Sequence, residues 1–249
     1  MSGHSKWSTI KRQKGANDAK RGAIFTKLSR EIILAAKQGG ADPAMNFKLR
    51  LAVQRAKAQN MPNDNIDRAI AKAAGAGADE QLEEIQYEGY GPGGTAIIVA
   101  VLTDNRNRTV AEVRHRFSRA GGNLGETGSV GWQFDAKGLI TIPADGKDAD
   151  DIALQAIDAG ADDVSLDGDA VEIQTEPTAL EPVRKALESG GYTIENADFA
   201  MVPKVMMELD EKTQHQVLKL LDALEELEDV QRVYSNADFT DEAMESYEG

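Results

Sequence analysis

The chain has 249 residues, of which 41% are hydrophobic and 28% charged, and it contains no cysteine. This composition is typical of a folded protein with two or three compact units, and the lack of cysteine excludes disulfides, thiolate metal sites and a cysteine nucleophile. The longest apolar run is far shorter than the about 20 residues that a membrane-spanning helix needs. Because the N-terminus also lacks the apolar segment of a secretory signal, we expect a cytoplasmic protein without a membrane partner.

The net charge of −14 is unevenly distributed along the chain. Residues 1–75 carry fifteen Lys and Arg against five Asp and Glu, a net charge of +10, whereas residues 76–249 carry thirteen against thirty-seven, a net charge of −24. A basic segment attracts phosphates and an acidic body repels them, so this polarity favours nucleic acid as the partner. The alternative interpretation is that the basic segment packs against its acidic neighbour in the same chain.

The first 20 residues form a predicted basic arm, because they can bury too little apolar surface to offset their chain entropy. His4 and Trp7 are interleaved with the cations of the arm. Aromatic rings stack on unpaired bases while Lys and Arg neutralise phosphates, the combination found in proteins that bind RNA or single strands. The predicted nucleic-acid contacts in the arm and the helix after it are Lys6, Trp7, Lys11, Arg12, Lys14, Lys20, Arg21, Lys27 and Arg30.

Three helices are predicted after the arm. The first begins at Ala23 and ends at Gly39-Gly40, where glycine stops the apolar period. The second is predicted to begin at Asp42-Pro43, an N-cap followed by proline, and the third follows Pro62. Residues 1–80 are therefore expected to form the basic arm and a small helical bundle.

An α/β region begins near Tyr87, where a glycine turn precedes a predicted buried strand from Thr95 to Leu102. Thr109 and Glu112 have the spacing of a capping box and predict the start of a helix, and Ser129 to Phe134 alternate weakly and predict a second strand. The loop before the helix carries Arg106 and Arg108. Because arginine forks bind phosphate in a bidentate way, these two are also predicted nucleic-acid contacts, with surface solubilisation as the alternative.

From Gly138 the predicted elements follow the order βαββαβ, the ferredoxin-like arrangement. The last helix and the strand Val230 to Tyr234 lack a sheet of their own, so we expect them to complete the first α/β domain. The predicted fold is an α+β multidomain protein, in which an N-terminal helical bundle precedes two ferredoxin-like α/β domains, one inserted into the other. The predicted domains are residues 1–80, residues 81–134 with 205–240, and the insert 135–204.

Sequence motifs give no indication of catalysis. The glycines between Gly89 and Gly94 match a dinucleotide fingerprint, but they precede a strand instead of opening a helix. His4, His115 and His215 have no metal-ligand spacing, and the aspartates from 145 to 151 lack the pattern of a calcium loop. We therefore predict a protein that is not an enzyme and has no cofactor, metal site or small-molecule substrate. A dispersed active site and a module that docks basic proteins are the competing alternatives.

Four long segments closely resemble the YebC family across essentially the whole chain: GHSKWSTIKRQKGANDAKRGAIFTKL, MPNDNIDRAIAKA, YEGYGPGGTAIIVAVLTDNRNRT and GGNLGETGSVGWQF. The resemblance implies a three-domain α/β protein and regulation of gene expression. Family members are labelled as probable transcriptional regulators with inferred DNA binding. The family also includes a mitochondrial translational activator of cytochrome oxidase, and bacterial relatives are linked to ribosomes stalled on proline runs. The implied partner is thus DNA or, as the alternative, ribosomal RNA on the ribosome, where the chain would be a translation activator that relieves stalling.

Overall fold

The computed structural model describes residues 18–75, 82–144, 149–167 and 170–247. Residues 134–202 form one compact unit, and the other described residues form a second. The helices and strands in chain order are α1 (Asp18–Gly39), α2 (Phe47–Ala58), α3 (Asn63–Ala74), β1 (Glu83–Tyr90), β2 (Ala96–Thr103), α4 (Arg106–Arg119), β3 (Asn123–Leu124), β4 (Phe134–Pro143), α5 (Ala149–Asp158), β5 (Asp163–Asp167), β6 (Ala170–Thr175), α6 (Leu180–Ser189), β7 (Asn196–Pro203), α7 (Glu211–Glu225), β8 (Val230–Ser235) and α8 (Asp241–Glu245).

The first three helices pack around a core of their own, as the apolar periodicity predicts. Ile32, Leu49 and Ala56 are fully buried in it, and Met61 and Ile66 extend it to α3. The predicted start of α2 at Asp42 is wrong. The helix begins four residues later, because the Asn46 side chain caps it by accepting from the Leu49 amide at 3.1 Å.

The first α/β sheet has the antiparallel order β3-β1-β2-β8, so the C-terminal strand returns to the sheet begun at β1. Its apolar face packs against α4 and α7 through a cluster that includes Val99, Phe117 and Val217. The return of the tail confirms the expectation that one α/β domain is inserted into another. Burial of such side chains contributes about 1.5–3 kcal/mol each, which makes this cluster the main support of the sheet.

The unit of residues 134–202 has the order βαββαβ along the chain and the sheet order β5-β6-β4-β7. Both orders are those of a ferredoxin-like fold. Ile140 and Ile173 on the sheet and Leu187 on α6 are fully buried. The fold class expected from the sequence is therefore confirmed, while the finer division into three domains stays a prediction.

Two predicted elements of the first α/β region are wrong in detail. Helix α4 begins at Arg106 and is capped by Asn105, whose side chain accepts from the Arg108 amide at 3.1 Å. Thr109, the predicted cap, is buried and binds a carboxylate instead. The predicted strand from Ser129 to Phe134 is a loop that ends in a short 3-10 helix, Gly131–Gln133, because its amides bind a side chain and not a neighbouring strand.

Candidate nucleic-acid interface

The predicted contacts of the basic arm, Lys6, Trp7, Lys11, Arg12 and Lys14, lie outside the described residues. Lys20 and Arg21 fall in the first turn of α1. Helix α1 thus begins within the predicted arm, and the arm leads directly into a helix of 22 residues. Their binding role stays a prediction.

Two predicted contacts farther along α1 hold this helix against the α/β part of the same unit. The Lys27 ammonium donates to the backbone carbonyl of Glu225. The Arg30 guanidinium donates to Asp229 Oδ1 at 2.7 Å and to Glu228 Oε1 at 2.9 Å. Lys27 thus binds a carbonyl, and Arg30 binds two carboxylates, within the chain itself. This is the intramolecular packing that the sequence left open as an alternative for the basic segment.

Arg108 converges on the same carboxylate from the other side. Its Nη2 atom lies 2.8 Å from Asp229 Oδ2 and 2.8 Å from Asp104 Oδ1, and these two hydrogen bonds raise the pKa of the guanidinium. The hydroxyls of Thr109 and Thr103 also donate to Asp229 Oδ2, at 2.6 and 3.1 Å. Burial alone would raise the pKa of Asp229, but the hydrogen bonds from Arg108 and Thr109 outweigh it and hold that pKa below its ordinary value.

Helix α4 carries the largest local surplus of positive charge in the α/β part. It contains five arginines and one glutamate, a net charge of +4 within a region of −24. Val113 and Phe117 face the core, so the 3.6-residue period turns the side chains between them outward. Arg106, Arg114 and Arg119 are exposed.

The outward arginines of α4 have no carboxylate partner. No ion pair joins Arg106, Arg114 or Arg119 to an acidic group of the residues that the structure describes. Exposed guanidiniums form strong charge-assisted hydrogen bonds with phosphate oxygens. Arg106 and Arg108 were predicted together, and their role in binding stays a prediction. Arg108 has two carboxylate partners, Arg106 lies beside the Tyr87 hydroxyl, and Arg114 and Arg119 are exposed farther along the helix.

Helix α2 of the bundle carries two exposed cations, Lys48 and Lys57. The other basic residue near its C-terminal end, Arg55, pairs with Glu31 of α1, which also accepts from Arg232 of β8 at 3.4 Å. Burial alone would raise the pKa of Glu31, but the charges of Arg55 and Arg232 outweigh it and lower the pKa. Arg55 therefore serves packing within the unit, as Arg30 does.

The loop from Gly125 to Gln133 carries Trp132, which the sequence pattern placed in a strand. The Glu88 carboxylate, on β1, accepts from the amides of Gly128, Val130 and Gly131 at 2.6–2.8 Å. Just after this clamp, the side chain of Trp132 is 68% exposed. Trp132 was missed because its position in the loop depends on Glu88, more than 40 residues earlier in the chain.

Neither a candidate metal site nor a membrane-spanning helix is found in the described ranges. They contain no group of three or more His, Asp or Glu side chains that could hold a metal ion. Within the same ranges, no helix is both long and apolar enough to cross a membrane.

Two family models match the chain and together cover most of it. The model described as the TACO1/YebC protein N-terminal domain matches residues 5–76, and the model described as the TACO1/YebC second and third domain matches residues 82–237. The first contains the predicted arm contacts and helices α1 to α3, and the second contains both sheets.

Full-length relatives and a solved structure agree with these matches. A protein of Dehalococcoides mccartyi, named a probable transcriptional regulatory protein, is 56% identical over 99% of this chain and 98% of its own length. A protein of Rubrobacter xylanophilus with the same name is 53% identical over the full length of both chains. The crystal structure of a conserved hypothetical protein from Aquifex aeolicus has a TM-score of 0.83 and 47% identity, covering 90% of this chain and 93% of that one.

Proposed function

Because the chain belongs to the TACO1/YebC family, we propose that it is a cytoplasmic, nucleic-acid-binding regulator of gene expression that acts on transcription through DNA. The names of the relatives support a role in transcription. The chain would act by binding and not by catalysing a reaction.

The observation that carries this proposal is the set of exposed arginines on α4 that form no ion pair with an acidic group of the described residues. If the arginines of this helix served packing alone, we would expect nearby carboxylates to neutralise its net charge of +4. Arg108 shows that pattern, since it binds Asp104 and Asp229. Arg114 and Arg119 do not, and their exposed guanidiniums suit the phosphate backbone of a nucleic acid.

The predicted arm supplies the second part of the proposed interface. Its cations Lys6, Lys11, Arg12 and Lys14 lie in a segment that carries few acidic residues. Contacts of this kind give affinity that depends on salt, because each neutralised phosphate releases condensed counterions. They also tolerate many sequences, since phosphates carry no base information.

Crosslinking of the tagged protein in cells, with sequencing of the recovered DNA and RNA, tests this function. We expect enrichment of promoter DNA, and the charge-reversed variant Arg114→Glu/Arg119→Glu should lose that enrichment at equal protein abundance. Recovery of ribosomal RNA clustered at one site, without promoter DNA, would instead assign the chain to the ribosome as a translation activator. Recovery of neither nucleic acid would overturn the proposal.

A further inference from the structure

Trp132 is an exposed aromatic side chain whose polar atom is already satisfied. The indole Nε1 donates to the backbone carbonyl of Ser129 at 3.2 Å, and the same carbonyl accepts from the Tyr90 hydroxyl at 2.8 Å. The indole N–H thus fixes the orientation of the ring, while 68% of the residue stays exposed. What the ring offers to a partner is its apolar π-face.

The backbone that holds Trp132 is fixed from several directions. Besides the three amides that bind the buried Glu88 carboxylate, the Gly125 amide donates to the Glu88 carbonyl at 2.8 Å and the Gln133 amide donates to the Val130 carbonyl at 2.9 Å. Burial of Glu88 would raise its pKa, but the three amides outweigh that effect and lower it, so the clamp is charged at neutral pH. The loop therefore keeps an exposed ring in one place, which lowers the entropy cost of binding.

A cation binds the backbone of the same residue. Lys204 donates from its backbone amide to the Gln133 carbonyl at 2.8 Å and from its ammonium to the Trp132 carbonyl at 3.0 Å. Lys204 is exposed, and an ammonium carries three donor hydrogens. An aromatic face beside a cation is the arrangement by which proteins bind a base and its phosphate together.

We propose that Trp132 stacks on an unpaired nucleobase and that Lys204 contacts the adjacent phosphate, which makes this loop a second nucleic-acid site that accepts single strands. The inference rests on the proposed nucleic-acid-binding function and adds that the nucleic acid bound at this loop is single-stranded. Bases in a duplex already stack on their neighbours, so their faces are covered. Every base has a π-face, so the site tolerates any sequence.

Val205, the residue after Lys204, is 75% exposed. Its contribution to binding differs between a nucleobase and a protein partner. An apolar protein surface would gain from both Trp132 and Val205, because burial of apolar area is not directional. A base gains from the aromatic face alone. The satisfied indole N–H, the stiff loop and the neighbouring ammonium favour the base, and Val205 provides the matched control.

Fluorescence gives a direct test, because Trp7 and Trp132 are the only two tryptophans in the chain. In a Trp7→Phe variant, all tryptophan emission comes from Trp132. Titration with a short oligouridylate, as RNA and as the DNA analogue, should quench that emission along the same curve as the anisotropy of the labelled oligomer. The same oligomer with abasic residues should bind more weakly and leave the emission unchanged.

Variants of the loop provide the second arm of the test. Trp132→Leu should weaken binding of the oligouridylate about tenfold, the effect of one lost stacking contact, whereas Trp132→Phe should stay within about threefold of the parent chain because phenylalanine also stacks. Val205→Ala should bind like the parent. Equal loss in Trp132→Leu and Val205→Ala would mean that the loop contacts the oligomer through apolar area in general and not by stacking, and would overturn the proposal.

The outcomes also separate this inference from the proposed function. If the oligomer binds by anisotropy but Trp132 emission does not change, the nucleic-acid function stands and the stacking site is wrong. If neither the oligouridylate nor duplex DNA binds at any salt concentration, both are wrong.

Discussion

The Arg30 guanidinium lies 2.7 Å from the Asp229 carboxylate and joins two residues that are 199 positions apart in the chain. Only 2% of the Asp229 side chain is exposed, and 18% of that of Arg30. Because Arg108 binds the other oxygen of the same carboxylate, one buried acid links α1 to the start of α4. This link is one of the contacts that hold the helical bundle against the α/β part of the unit, together with Lys27 and Glu31.

Replacing Asp229 by asparagine should destabilise this unit strongly. The amide keeps the shape but removes the charge that compensates two arginines, and breaking a buried ion pair costs about 3–5 kcal/mol. We expect urea denaturation to show a loss of about 2–4 kcal/mol, since Arg108 is partly exposed. The matched control is Asp238→Asn, an exposed acid shortly after β8, which should stay within about 0.5 kcal/mol.

Acidification should remove the stabilisation that Glu88 provides. Its pKa in the folded chain lies below its ordinary value of about 4.3, so its contribution is fully present above that value and is lost as the pH falls through the lowered pKa. The difference in unfolding free energy between the parent and Glu88→Gln should be largest near neutral pH and should shrink as the pH falls below the ordinary pKa of a glutamate. A difference that is constant across this range would contradict the assigned role of the charge.

Glu88→Ala should loosen the loop without unfolding the sheet. Three amides lose their acceptor, and the Gly128, Val130 and Gly131 amides should therefore exchange hydrogen faster. We expect exchange mass spectrometry to show this change in residues 125–133 and little change in α1. Glu84→Ala, an exposed acid four residues earlier on the same strand, is the control and should leave the loop protected.

Elements whose burial follows from their own sequence were predicted well. Helix α6 spans Leu180–Ser189, as its apolar period indicates, and β8 pairs with β2 because a strand without neighbours needs a sheet to complete. Strand β1 was not predicted, since its first residues are exposed glutamates that show no apolar alternation and the glycines from Gly89 onward indicated a turn.

Residues whose roles depend on distant partners could not be predicted. Asp229 lies in an acidic run from Glu225 onward, and nothing in that run separates it from its solvent-exposed neighbours. Lys27 and Arg30 resemble the other cations of the basic segment until their partners near the end of the chain are known. The net charge of the basic segment predicted an anionic partner for it. Which of its cations pack within the chain and which are left for a ligand can be read only from the tertiary structure.

The basic arm should account for part of the salt dependence of binding. Replacing Lys11, Arg12 and Lys14 by alanine should weaken affinity for duplex DNA and make the slope of log affinity against log salt shallower by about 0.9 for each lost phosphate contact, or about 0.7 on a single strand. Fluorescence anisotropy over a salt series measures this slope. An unchanged slope would exclude these three residues from the interface.

The arginines of α4 should act in the same way and independently of the arm. Arg114→Ala/Arg119→Ala should lower the slope on duplex DNA by about 1.8 if both side chains contact phosphates. Neither residue has a carboxylate partner in the described part of the chain, so the cost to folding should be limited to about 1 kcal/mol from the loss of a cation at the end of the helix.

The matched control removes two exposed cations from another helix, through Lys212→Ala/Lys219→Ala on α7. Both pairs change the net charge of the chain by the same amount, so a general attraction to DNA would weaken equally in the two variants. A contact surface on α4 requires a change of slope in the arginine pair alone. Equal slopes in the two variants would mean that α4 contributes only its charge, and the arm would then remain as the sole candidate for direct phosphate contact.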